Sequence, residues 1–208
     1  MNSKQQILSK ISNTLEKREK GIIPTTDFES PIYHESEVSA LTIFENELKN
    51  VDGQFFLCEN ENHLVKEIED FIKSKSLNNI FCIDPEIQYC IDKSNINYSS
   101  DKDSFLHIDS AITSCEYLIA RTGSVMVSSK QTAGRKLNVF PPIHIVIARK
   151  SQLVFEISEA YENIMNKYKN VVPSMISIIT GPSRTADIEK TLILGAHGPK
   201  EFIVFLLN

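Results

Sequence analysis

Apolar positions along the chain change their period several times, and each change marks an element. Ile7, Ile11 and Leu15 recur at helical spacing within residues 3–20, with Ser3 and Gln6 placed as a capping box, so a first helix with one narrow apolar seam is expected. Gly21 ends that pattern, and the stretch to Pro31 holds two prolines and few periodic apolar residues, which reads as an extended connector. Ser36 stands where it would cap a second helix, whose Val38, Leu41, Phe44 and Leu48 form a core-facing stripe. Residues 54–58 then have strand character, Leu64, Val65, Ile68, Phe71 and Ile72 mark another amphipathic helix, and the apolar run 80–83 stops at Asp84-Pro85. Strand, helix and strand in that order form a βαβ unit, for which direct parallel pairing through a right-handed crossover is the default.

Beyond a polar, poorly patterned stretch at 92–103, apolar runs recur at 117–120, 125–127, 143–148, 175–179 and 202–207, most with the character of buried strands. Arg121-Thr122-Gly123-Ser124 separates the first two by a hairpin-sized span, so an antiparallel pair within a mixed sheet is expected. Ile157, Tyr161, Ile164, Met165 and Tyr168 mark a helix between later strands. The pattern predicts an α/β fold: a mixed, mainly parallel sheet flanked by helices, with an N-terminal helical arm. Residues 1–30 form the helix and connector in this reading, and residues 31–208 a single α/β domain.

A chain of 208 residues is long enough for one sizeable core, and 41% apolar with 24% charged residues is the composition of an ordinary globular domain. No apolar run approaches the roughly 20 residues of a membrane span, and the polar start is unlike a signal peptide, so a cytoplasmic protein with no membrane span is expected. A net charge of −5, without a basic stripe interleaved with aromatics, argues against nucleic acid as a partner. Cys58, Cys82, Cys90 and Cys115 show no C-x-x-C spacing and lie in or beside apolar segments, the context of buried thiols and not of disulfides, zinc or iron–sulfur ligands. No metal or other cofactor is expected.

Ligands of open α/β sheets collect outside the carboxyl ends of strands, which directs attention to polar residues that follow apolar runs. Thr122 and Ser124 place hydroxyls beside Gly123, a combination suited to close backbone approach by a ligand and equally to a tight turn. Gly181 and Pro182 leave a strand, after which Ser183 or Thr185 is placed to cap a helix with Asp187 and Glu189 in its first turn. Free N–H groups at such a helix start suit a carboxylate or phosphate, with Arg184 as a bidentate clamp; the two acids equally complement the helix dipole on their own. His197, ahead of Gly198 and Pro199, is either a proton carrier or donor to a carboxylate, or a loop histidine. His144, flanked by isoleucines, reads as a hydrogen-bonded core residue, and Lys130, Arg135 and Lys136 form a local cationic cluster able to hold a small anion.

The stretch 181–189, followed by Gly195-Ala196-His197-Gly198-Pro199 and a final apolar strand, resembles the C-terminal signature of the lactate-utilisation protein C family, which carries the LUD domain. Ile119-Ala120-Arg121-Thr122-Gly123-Ser124, with the later Phe140-Pro141-Pro142-Ile143-His144, is similar to that family's central signature, although Arg121 stands where an acidic or small residue is usual. The resemblance implies a fold like ribose-5-phosphate isomerase and the coenzyme A transferases (NagB/RpiA/CoA-transferase-like). It also implies a role in oxidising L-lactate to pyruvate, as an accessory or substrate-handling subunit beside iron–sulfur partner subunits. A small organic acid would then be met by Thr122, Gly123, Ser124, Arg135, Ser183, Arg184, Thr185, Asp187, Glu189, His197 and Gly198, with no residue assigned a catalytic role.

Two other readings stay open. One is a stand-alone transferase or isomerase acting on a small carboxylate, phosphosugar or acyl-coenzyme A, with Glu116, Asp187 or Glu189 as nucleophile or base. The other is an interaction protein whose first helix docks on a partner or on a second copy, giving a homo-oligomer.

Overall fold

The computed structural model describes residues 3–16, 38–169, 171–185 and 193–208. The chain divides into two units, residues 1–37 and residues 38–208. The described part of the first is helix α1 (Ser3–Glu16), on which Ile7, Leu8 and Ile11 are exposed. The expected extension of this helix to Lys20, the connector and Ser36 lie outside the described residues.

In the second unit, the cap of α2 (Ala40–Asn50) is Ser39, whose Oγ accepts from Thr42 N at 3.2 Å. Strand β1 (Gln54–Cys58) leads to α3 (Glu61–Lys75), capped by Asn60 through His63 N and closed by Ser76 in the left-handed region. A two-residue strand, β2 (Ile80–Phe81), precedes the short helix α4 (Pro85–Ile91), where Asp84 is the cap and proline occupies the first turn, a position in which its missing N–H costs nothing. Then follow β3 (Ser110–Ser114), β4 (Tyr117–Ile119), β5 (Ser124–Ser128), β6 (Ile143–Arg149), β7 (Leu153–Val154) and α5 (Ile157–Lys167). The last elements are β8 (Ile176–Ile179), β9 (Arg184–Thr185), β10 (Ile193–Leu194) and β11 (Glu201–Leu207).

Five strands form a parallel sheet in the order β1-β11-β6-β3-β2, and four form a mixed sheet in the order β7-β4-β5-β8. The predicted hairpin is present as the antiparallel pair β4–β5, and the α/β class with a mainly parallel sheet holds. The predicted direct pairing of β1 with β2 does not: the two lie at opposite edges, with β11, β6 and β3 between them. The reason is burial. Strands β6 and β11, seven residues each and nearly all buried, need cover on both faces and take the middle, whereas the two-residue β2 can serve only as an edge.

Alternation along these strands sorts the core into layers. Cys58, Ile112, Ile145, Ile203 and Phe205 face α3 and α4 through Leu64, Ile68, Phe71 and Ile91. Val146, Ala148, Phe202, Val204 and Leu206 face the other way, onto Phe44 and Leu48 of α2 and onto Leu118, Val125 and Val127 of the mixed sheet. The far side of the mixed sheet receives α5, where Ile119, Met126 and Val154 meet Ala160 and Ile164. Each large side chain fully buried in these layers contributes about 1.5–3 kcal/mol.

The helix start predicted at Ser183 is not found: Arg184 and Thr185 form part of a two-stranded ribbon, β9 pairing antiparallel with β10, and a start at Thr185 would fall on residues outside the described ones. Long-range bonds decide this: Ser183 N donates to the Pro199 carbonyl and the Ser183 carbonyl accepts from Gly195 N, both at 2.8 Å, so the backbone is engaged across the chain before a helical turn can close. Asp187 and Glu189 lie outside the described residues. Among the described residues, no helix is long and apolar enough to cross a membrane.

Candidate functional site

The carboxyl ends of the parallel strands lie on one side of the sheet, and a cleft of about 580 Å³ opens there. Strand ends of this kind leave polar loop residues converging on a space that no regular element fills, the usual ligand position in α/β folds. Asp84 enters from the exit of β2, Ser114 and Glu116 from that of β3, Lys130 and Gln131 from that of β5, and Arg149 from the end of β6. Lys167 and Tyr168, at the end of α5, complete the polar lining.

A run of hydrogen bonds ties these groups together. Glu116 Oε1 accepts from Ser128 Oγ at 2.6 Å and from Tyr168 Oη at 3.0 Å, and its Oε2 accepts from Lys167 Nζ at 2.8 Å. Ser128 N donates to Gln131 Oε1 at 3.0 Å, Gln131 Nε2 donates to Ser114 Oγ at 3.3 Å, and Ser114 Oγ donates to Asp84 Oδ2 at 2.5 Å. Two buried carboxylates, Asp84 and Glu116, are thereby joined across the cleft floor. The Glu116 side chain has no solvent exposure, which is tolerable only because a cation and two hydroxyls meet its charge. Burial alone would push the Lys167 ammonium down, but its hydrogen bond to Glu116 and the carboxylate charge outweigh that and hold it above the ordinary lysine value. Burial and the same carboxylate raise Tyr168. Lys130 and Arg149 open onto the cleft with no ion-pair partner among the described residues.

Most of the residues singled out from the sequence lie at the opposite pole. Strands β4 and β8 run back from the cleft, since β4 follows β3 after two residues and β8 is antiparallel to β5, so the polar residues after them emerge near the amino ends of the parallel strands. There Ser124 Oγ donates to Thr122 Oγ1 at 2.7 Å and is hydrogen-bonded to Thr180 Oγ1 at 2.7 Å. Gly123, at φ 58°, lies against α2 so closely that a Cβ would stand 2.2 Å from Leu48 N; its close backbone approach is to a helix and not to a ligand. Ser183 adjoins Gly198, Arg184 pairs with Asp52 at 2.8 Å, Thr185 lies in the ribbon, and His197 is exposed. Arg121 pairs with Glu156 and lies over the Phe155 ring.

Arg135 is on the side of the cleft but donates to Ser174 Oγ at 2.7 Å instead of lining it. The structure therefore brings Thr122, Gly123, Ser124, Ser183, Arg184, Thr185, His197 and Gly198 to one pole and gathers Asp84, Ser114, Lys130, Gln131, Arg149 and Lys167 at the other. Of the cleft residues, the sequence reading singled out only Lys130, within its cationic cluster, and Glu116, as a nucleophile or base. The signal for the rest was available in part: Asp84 and Arg149 each stand just beyond an apolar run.

His144 is a core residue, as its apolar setting implies. Its Nε2 is 2.8 Å from Thr113 Oγ1, its Nδ1 has no partner, and burial pushes its pKa down to about 3. The four cysteines are buried and unpaired, and burial raises the Cys58 thiol to about 11 and the Cys82 thiol to about 12.

A sequence model of the LUD domain matches residues 91–207. The chain belongs to the LUD-domain family. Every charged or hydrogen-bonding cleft residue except Asp84 and Glu86 falls within the matched LUD region. The chain is 37% identical over 99 residues to the lactate utilization protein C of Bacillus subtilis, covering 47% of this chain and 41% of that protein. It is 40% identical over 86 residues to the lactate utilization protein C of Geobacillus thermodenitrificans, covering 40% of this chain and 36% of that protein. An uncharacterized protein of Neisseria meningitidis is 35% identical over 103 residues, 50% of this chain and 44% of its own length. The match thus spans less than half the length of these curated relatives. A crystal structure of a DUF162 family protein from Deinococcus radiodurans superposes with a TM-score of 0.58 at 17% identity, over 81% of this chain and 96% of that one, so the two share a fold.

Proposed function

We propose that this LUD-domain protein serves lactate utilisation by binding a small organic acid in the cleft at the carboxyl pole. The observation that carries the reading is the convergence of Lys130 and Arg149, two cations without ion-pair partners among the described residues, on a space also lined by the Ser114 hydroxyl and the Gln131 amide. A carboxylate docks onto such cations by charge-assisted hydrogen bonds, and Arg149 offers a planar fork for a bidentate contact. The Bacillus and Geobacillus relatives, both lactate utilization proteins C, supply the metabolic setting. In that setting iron–sulfur partner subunits carry the electrons from L-lactate, and this chain handles the acid.

The test is thermal melting with L-lactate, pyruvate and a chloride control at matched ionic strength. A ligand at a hundredfold its Kd stabilises the native state by about 2.7 kcal/mol. Stabilisation by either acid that disappears in Lys130→Ala and Arg149→Ala supports the reading, whereas identical melting in all three solutions sinks it. Co-purification with iron–sulfur proteins encoded by neighbouring genes tests the partnership separately.

The stand-alone transferase reading has one feature in its favour, since Glu116 lines the cleft. Three donors already hold that carboxylate, however, which suits a fixed strut better than an attacking group. The accessory role takes first place for this reason.

A further inference from the structure

The cleft is too large for lactate alone, and its lining is divided. A volume of about 580 Å³ falls in the range of roughly 300–1,000 Å³ that holds drug-sized ligands, whereas a three-carbon acid has the bulk of about three or four waters at ~30 Å³ each. Its polar lining comes mostly from the exits of β3 and β5 and the end of α5: Ser114, Glu116, Lys130, Gln131 and Lys167. Its apolar lining comes from another layer, with Leu64 on α3, Ile87 and Cys90 on α4, and Ile147 and Leu207 on the face of the parallel sheet that α3 and α4 cover. Lactate carries one methyl group, which leaves that apolar surface uncovered.

Resting on the reading that this cleft binds an organic acid, we infer that its ligand is an amphipathic carboxylic acid longer than lactate, with its carboxylate on Lys130 and Arg149 and an apolar chain against Ile87, Ile147 and Leu207. Apolar contact is worth about 0.8 kcal/mol per buried methylene, or roughly a fourfold change in Kd. Length is therefore the property that separates such a ligand from lactate.

The experiment is calorimetric titration of the full chain with a homologous series: L-lactate, 2-hydroxybutanoate, 2-hydroxyhexanoate and 2-hydroxyoctanoate. The expected result is a Kd that falls by about fourfold per methylene over the early members. Arg149→Ala should weaken every member by a similar factor, and Ile147→Ala should flatten the length dependence. Equal affinity along the series, or lactate binding tightest, overturns the inference and leaves the organic-acid site standing. Failure of every member to bind removes the site and the inference together. A length dependence that persists undiminished in Ile147→Ala, with folding confirmed by an unchanged melting temperature, also overturns it by placing the chain elsewhere.

Discussion

Lys167 Nζ stands 2.8 Å from Glu116 Oε2, so that a half-exposed ammonium on α5 neutralises a carboxylate with no solvent contact of its own. The pair clamps the last turn of α5 onto the β3–β4 connection, at the rim of the cleft. Removing one partner of a buried pair leaves the other uncompensated, which typically costs about 3–5 kcal/mol, and less where one partner is half in water. Lys167→Met is expected to destabilise by about 2–3 kcal/mol in urea unfolding at pH 7, and a Glu116→Leu/Lys167→Met double variant should recover part of that loss. Because the Lys167 pKa is raised in the native state, the contribution is fully present below the ordinary lysine value and is lost as pH climbs through the higher native one. Alkaline unfolding of Lys167→Met should lack that component; an unchanged alkaline profile would show that the pair has no energetic role.

Acid should act through His144. With a native pKa of about 3 against about 6.5 when unfolded, the ring is neutral in both states above pH 6.5, and as pH falls below that the unfolded chain takes up a proton that the native one refuses. Stability therefore declines from pH 6.5 toward 3, by about 1.4 kcal/mol per unit, or roughly 2 kcal/mol by pH 5. Urea titrations at pH 7 and pH 5 should show this loss in the natural sequence and a smaller one in His144→Gln. Parallel losses in both proteins would remove His144 as the cause.

Gly123 offers a test of what the TG element is for. A Cβ there meets Leu48 N at 2.2 Å and Glu47 C at 2.5 Å, on a residue whose φ of 58° is already unfavourable for any side chain. Gly123→Ala is expected to cost more than about 3 kcal/mol, because neither backbone can give way without moving α2. Acid binding by the folded fraction should stay the same. Preserved melting with lost binding would return this element to the ligand.

The two poles predict opposite behaviour for two arginines. Arg149→Ala should weaken acid binding by about tenfold or more while changing the melting temperature little, as expected for a charge-assisted contact worth about 1.5–3 kcal/mol. Arg184→Ala loses only the pairing with Asp52, worth at most about 1 kcal/mol of stability at a solvent-exposed site, and should leave binding unchanged. The reverse pattern in titration calorimetry would move the site to the signature pole.

How much of this was legible beforehand depended on whether a residue's neighbours in sequence were also its partners in space. Runs 143–148 and 202–207 read correctly as buried strands because a central parallel strand is apolar throughout. Strand β3, Ser110–Ser114, escaped the pattern because three of its five residues bear hydroxyls; two of these find partners outside the strand, Thr113 on His144 and Ser114 on Asp84. Ser183 looked like a cap because Ser or Thr followed by acids usually is one, and the bonds that overrule it come from Pro199 and Gly195, more than ten positions away. Most of the candidate site residues lie away from this cleft for a directional reason. Polar residues after an apolar run mark the ligand pole only if that strand runs with the parallel set, and periodicity carries no record that β4 and β8 run against it.

Strand β11 lies between β1 and β6, so the sheet's first strand in chain order has no partner until its last one exists. Gln54 and Glu201, hydrogen-bonded across 147 positions, measure how long that wait is. Contacts of such long range slow folding, and on the ribosome residues 54–58 and 143–149 emerge with apolar edges exposed well before residues 201–207 can fill the gap. Assembly of the fold is therefore timed by its final strand, and a chain interrupted before residue 201 presents two open edges of the kind that recruit other chains.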